Sequence, residues 1–464
     1  MGPFSFFLLA EILAARASIS IADPGDYADL AADATDNALL ADYSTDDGGP
    51  TYQIYDITGP YFYSNTDVEL DHAYLYDDAN DTSVVVGTEG AMVNISYTGI
   101  VKYGYSTWLN QASFFGVNAA VNIANGSISY IDHVNITTHN GSANIWAYGT
   151  GSIVYLDNAD LYSSGPTAHG LYAAGNGTIY ASNVRHYSGG NRCSSFSGDK
   201  GDGYLYVTDA VAHTAGIGSA IFYSVGESYG ENIVGVADNA PSVFSDGPQK
   251  TVLKNVDFTA GLLAGTVLFS SQGLKSGASI SFEDSSLTVK GEDAPGLWFG
   301  NIIADASIIS SEIVTESGIL VIANMSRITP EFNHFVGVEY SAEVQPAQVT
   351  VLVEESTLDG DIVAYNGSSI NWSLTKNSNW TGAARIGGGK GAANFSISID
   401  ESSTWVLTGD VDVHEFTNGD SKLDNIISGG HSISYNPSAS ANSWLRKKSV
   451  TLQGGGRIKP SGSS

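Results

Sequence analysis

One cysteine and 12 prolines are spread over 464 residues, and only 15% of the residues carry charge. Cys193 has no partner in the chain, so no internal disulfide can staple the fold, and a large continuous core must hold it. Basic residues are scarce: 19 Lys and Arg stand against 49 Asp and Glu, a net charge of −30. A surface this acidic is repelled by a phosphate backbone, which excludes nucleic acid as a partner. Between Ala17 and Val101 there is no Lys or Arg at all, against sixteen acidic residues. Beyond the N-terminus no segment approaches the apolar length that spans a bilayer, and no C-terminal hydrophobic tail suggests a lipid anchor. Zinc-ligand spacing, the ordered Asp spacing of a twelve-residue calcium loop and a G-x-S-x-G elbow are also missing. No metal site and no cofactor are expected.

What is present is 53 Gly, 25 Tyr and a hydrophobic content of 42%, ample for a core. Phe4 to Ala15 is an apolar run of signal-peptide length, followed by Ala15-Arg16-Ala17, an A-x-A-like cleavage site. Glu11 within the run and the lack of a preceding cation depart from that pattern, and a buried helix is the competing reading. Asn-x-Ser/Thr sequons stand at Asn80, Asn94, Asn125, Asn135, Asn140, Asn176, Asn324, Asn366, Asn371, Asn379 and Asn394. They fit a secreted glycoprotein, although a chain rich in Asn, Ser and Thr makes some by composition. The expected organisation is a signal peptide over 1–17, an acidic arm or cap over 18–58, a repeat domain over 59–450 and a flexible basic tail over 451–464.

The repeat is read directly. NGSISYIDHVNITTHNGSANIWAYG from Asn125, TGSIVYLDNADLYSSGPTAHGLYAAG from Thr150, NGTIYASNVRHYSGGNRCSSFSG from Asn176 and GDGYLYVTDAVAHTAGIGSAIFYSVG from Gly201 share one plan. Each opens on a Gly turn, runs through two short alternating strands and a polar loop, and closes on an apolar-aromatic strand. The period of roughly 25 residues is that of stacked coils, in which strands too short to bury a face alone do so together. The expected fold is all-β, a right-handed parallel β-helix (solenoid). A propeller needs longer repeats, and the helix-strand alternation of α/β folds is absent.

Aligned repeat ends give a column of Tyr172, Phe196, Phe222, Phe244, Phe269 and Trp298. An aromatic ladder inside the solenoid is the ordinary explanation. The loops just before it hold most of the scarce cations of the middle section: His169, His186, Arg192, Lys200, His213 and Lys250. Stacking would line these along one edge. The candidate cleft therefore has His169, Arg192, His213 and Lys250 as its polar, catalytic side. Tyr172, Phe196, Phe222 and Tyr223 form its substrate-binding wall. The alternative for each is a separate solvated loop residue. Polygalacturonase-like hydrolysis needs paired carboxylates on adjacent coils. Of that family's pattern only Arg457-Ile458-Lys459 occurs, at the extreme C-terminus, and His169-Gly170 lacks its preceding Gly.

Two resemblances extend this reading. The recurring S-x-W/L-x-x-G shape, with Trp380 and Trp405 before Gly382 and Gly409, resembles the passenger β-helices of autotransporter-type adhesins over the last quarter of the chain. In overall character, a secreted, multiply glycosylated, nearly Cys-free solenoid resembles the fungal hetero-Diels–Alderases that join a tropolone-derived quinone methide to the sesquiterpene humulenol. That resemblance implies a cofactor-independent cyclase with small-molecule polyketide and terpene substrates in secondary metabolite biosynthesis. It would hold both partners in an aromatic-lined pocket, and one or two donors would polarise the quinone-methide carbonyl. A cell-wall or adhesin-like binding solenoid and a polysaccharide-active enzyme remain the alternatives.

Overall fold

The computed structural model describes residues 57–462, except 105, 107–111, 113–114, 141, 166, 200–201, 225, 272, 326–343 and 390. The expected signal peptide and nearly all of the acidic arm lie outside the described residues. The fold is all-β, about 2% helical, with parallel sheets stacked as a β-solenoid of about 15 turns. The chain divides between Ala240 and Pro241 into two compact units. No helix among the described residues is long and apolar enough to cross a membrane.

In the N-terminal unit one parallel sheet is built from the last strand of each repeat, including Val121–Ala124, Ser142–Tyr148, Ala168–Ala174, Phe196–Asp199 and Phe222–Ser224. The second is built from the long strands Ile128–His139, Ile153–Ser164, Gly177–Ser188, Gly203–Thr214 and Glu227–Ala237. Ile128, Ile153, Thr178, Tyr204 and Glu227 occupy equivalent places, so the coil length matches the sequence repeat. Each long strand bends at one left-handed residue: His133, Asn158, Asn183, Asp209 and Asn232, with φ between 52° and 57°. Asn and Asp tolerate that conformation best after Gly, which explains the run of N and D at this place. The bend turns the strand around the core and sets a polar ladder on the outside. Asn158 Nδ2 donates to Asp132 (3.0 Å) and Asp157 (2.9 Å), and Asn183 Nδ2 donates to Asp157 (2.7 Å).

The C-terminal unit repeats the plan. Its core holds Trp372, Trp380 and Trp405, all fully buried. Trp380 and Trp405 stack in register at 4.8 Å, and their Nε1–H groups donate to the carbonyls of Gly360 and Gly382. The recurring Trp-then-Gly shape is thus a core ladder of this unit. The expected loose tail is instead paired. Arg457–Pro460 runs parallel to Ile433–Tyr435 and antiparallel to Val450–Thr451, because Ile458 buries its side chain there.

Candidate functional site

Strand register sorts the predicted aromatic column into separate rows. Leu171, Phe196 and Phe222 are cross-coil neighbours, as are Tyr172, Ser197 and Tyr223, one residue further on. Successive side chains point to opposite faces of a sheet. Phe196 and Phe222, fully buried and 5.1 Å apart, therefore face the solenoid interior. Tyr172 and Tyr223 face outward. The single column expected from aligned repeats is corrected: repeat ends differ by one residue, and one residue reverses the face. In the C-terminal unit, Phe244 and Trp298 share a row through Val267, while Phe269 lies in another.

The outward row gathers a compact cluster. Trp146 is in register with Tyr172, and the two rings stack at 3.9 Å with planes 10° apart. Gly116, at φ +71°, permits this: a Cβ there would stand 2.4 Å from the indole. His169 packs edge-on to Tyr172 at 4.8 Å and near-parallel to Tyr223 at 6.5 Å. All four side chains are buried. Trp146 escaped the sequence reading, yet NIWAYG aligned on GLYAAG places it exactly one repeat before Tyr172.

The histidine's tautomer follows from its partners. The Ser194 backbone N–H donates to His169 Nδ1 at 3.2 Å, and Ser197 Oγ lies 3.0 Å from the same nitrogen. A backbone N–H cannot accept, so Nδ1 carries the lone pair and the ring proton sits on Nε2. Burial pushes the His169 pKa down to about 3, with the Arg192 charge acting in the same direction, so the ring is a neutral Nε2–H donor at physiological pH. Arg192 is only 8% exposed, and burial lowers its pKa to about 10, which leaves it charged. Its Nε–H, like the Trp146 Nε1–H, is buried without an acceptor. A buried unsatisfied donor costs roughly 1–3 kcal/mol, more when charged, and of the atoms in this condition among the described residues, Trp372 Nε1 in the C-terminal unit included, Arg192 Nε is the one that belongs to a cation.

The remaining candidates are dispersed. His213 sits at the end of a long strand, its ring edge-on to Tyr187 at 5.3 Å and its Nε2 2.8 Å from Asp238. Lys250 is exposed and belongs to the C-terminal unit, and Lys200 lies outside the described residues. His186 is a core residue, with Oγ of Ser163 at 3.0 Å and of Ser195 at 2.8 Å on its two nitrogens. Of the sequon asparagines, Asn80, Asn94, Asn125, Asn135, Asn176, Asn371, Asn379 and Asn394 are exposed, while Asn140, Asn324 and Asn366 are half-buried. Several also serve the fold. Asn125 and Gly126 make a left-handed corner, and the buried Ser127 Oγ accepts the Ala91 N–H at 3.0 Å.

A groove of about 680 Å³ follows the outer bend of the long strands past Tyr97, His133, Asn158, Asp160, Asn183 and Arg185. Its polar groups are largely occupied by one another: Arg185 forms a two-point ion pair with Asp160, and the Asn side chains serve the corner ladder. Tyr130, Tyr155, Tyr180 and Tyr206 stack beside it at 4.8 to 5.4 Å, and the first three are exposed. Among the described residues no group of three His, Cys, Asp or Glu side chains is arranged to hold a metal ion. No protein-family model matches this chain, and neither a curated protein nor a solved structure does.

Proposed function

We propose that the Trp146–Tyr172–His169–Tyr223–Arg192 cluster binds a flat, oxygen-bearing, mainly apolar small molecule. There the chain would accelerate a hetero-Diels–Alder addition, joining a quinone-methide heterodiene to an alkene of a terpene such as humulenol. The observation that carries this reading is the pair of buried donors without acceptors, Arg192 Nε–H and Trp146 Nε1–H, in one cluster with stacked aromatic rings. In the reaction, six electrons move around a ring. One C–C and one C–O bond form, three π bonds are consumed, one new π bond appears, and no atom leaves. Negative charge grows on the heterodiene oxygen as the C–C bond leads, so a donor aimed at that oxygen lowers the barrier. His169 is suited to donate from Nε2, because Ser194 holds its other nitrogen as acceptor. The aromatic rings would restrict the partners to one approach, which selects the isomer.

The test is product formation from a quinone-methide precursor and humulenol. Arg192→Gln is expected to lower the rate roughly a hundredfold, as loss of one donor in a dry site does. A wild-type chain that yields only the uncatalysed isomer mixture removes the reaction. We place the protein in the secretory path as a glycoprotein, on the eight exposed sequon asparagines. Expression in a eukaryotic host should give a product that loses mass with an N-glycosidase, and an unchanged mass refutes it.

A further inference from the structure

Lys102, a cation as deeply buried as Arg192, has the Asp77 carboxylate 2.8 Å from its Nζ. Arg192 has no such partner: among the described residues of a chain with 49 acidic side chains, no carboxylate pairs with it. The groups that share its field are His169, Tyr223 and Cys193. His169 is neutral, and the Cys193 thiol donates to the carbonyls of Gly165 and Asn191, so it stands there as S–H. Its Nε–H is buried without an acceptor, and an anion that arrives with the ligand supplies one. The rings of His169 and Tyr223, which share its field and lie near-parallel, favour a flat ligand.

We infer that the ligand of this cluster binds as an oxyanion, a carboxylate, phenolate or ionised enol on a planar ring, with its negative oxygen on Arg192. The inference rests on reading this cluster as the ligand site, and adds the ground-state charge of what enters it. Under the cyclase reading, the heterodiene precursor would carry an acidic oxygen, ionised when bound.

The experiment is calorimetric titration of the full chain with 2-naphthoate and with 2-naphthamide, which share ring and shape and differ in charge. The naphthoate is expected to bind at least roughly tenfold more tightly. The preference should fall below about twofold in Arg192→Gln and survive in Arg192→Lys, which keeps the charge. Salt gives a readout that needs no variant: raising NaCl should weaken naphthoate and leave naphthamide unchanged. Equal affinities, a preference that survives in Arg192→Gln, indifference to salt, or no binding of either probe would each overturn the inference. The cyclisation assay separates the two claims. A naphthoate preference without cyclisation keeps the oxyanion site and removes the reaction, whereas cyclisation without preference does the reverse.

Discussion

A Cβ at Gly170 would lie 2.4 Å from the Ser195 carbonyl oxygen and 2.9 Å from the His186 ring. Both are fixed, the first by backbone and the second by two serine hydroxyls. Gly170→Ala should therefore destabilise the chain by about 2 kcal/mol, in the range of overpacked cores. His186→Ala should absorb part of that loss, because the ring is one of the two obstacles and neighbouring substitutions couple. Denaturant midpoints of the two single variants and the double variant check this; strict additivity would mean that the ring does not press on Gly170. The same glycine separates two histidines of opposite kinds. His169 lies on the outer face among aromatics and a cation, and His186 lies inside among serines. Both looked alike in the sequence as loop histidines, because a one-residue difference in face leaves no mark on composition.

The Ser pairs of the C-terminal unit show what an element can do with one hydroxyl per coil. Ser285, Ser311, Ser356, Ser378 and Ser403 are all buried, and each follows the strand bend of its own coil. The Ser285 N–H donates to Ser311 Oγ (3.0 Å), the Ser311 N–H to Ser356 Oγ (2.9 Å), and the Ser378 N–H to Ser403 Oγ (3.1 Å). Ser311→Ala leaves the Ser285 N–H buried and unpaired, so a loss of about 1–3 kcal/mol is expected. Ser310→Ala, on the exposed side of the same bend, should cost far less apart from its left-handed backbone strain. Urea unfolding of the two variants decides, and equal losses would deny the ladder its role. The coil period, the all-β class and the stacking of loops were legible in the sequence, since Gly corners and alternating strands recur every 25 residues or so. The facing of the aromatic rows was not, because Tyr172 and Phe196 sit one residue apart in register although both end a repeat. Of the candidate residues, His169, Tyr172, Arg192 and Tyr223 are neighbours, Phe196 and Phe222 turn inward, His213 meets Asp238, and Lys250 belongs to the C-terminal unit. The closing hairpin at Val450–Thr451 and Arg457–Pro460 was hidden by its Gly, Ser and Lys content, which reads as a tail until Ile458 finds its pocket.

For the molecule as a whole, the two buried histidines set a pH dependence of stability. Burial lowers the pKa of both His169 and His186 from 6.5 to about 3. In the unfolded chain each takes up a proton as the pH falls below about 6.5, and in the folded chain neither does until about pH 3. Between those values the unfolded state holds more protons, so stability is complete above pH 6.5 and declines as the pH drops. Each group contributes a slope of about 1.4 kcal/mol per pH unit inside the window. The carboxylates held low by hydrogen bonds, Asp71, Asp132, Asp400 and Asp420, act in the same direction but later, because their stabilisation is present above the usual carboxylate pKa near 3.8 and is lost below it. Asp246 acts in the opposite direction, since burial raises its pKa and the folded chain takes up its proton first, so the upper end of the window, just below pH 6.5, isolates the histidines. Urea midpoints measured across it should fall steadily for the natural chain and about half as steeply for His186→Gln, whose amide can still meet Ser163 and Ser195 without titrating. His169→Gln should flatten the curve by a similar amount, and the two together should nearly level it. Parallel curves for all four proteins would mean that both rings titrate in the folded chain as they do in the unfolded one, near pH 6.5. In that case the neutral Nε2–H donor on which the proposed chemistry draws would not exist below pH 6.5.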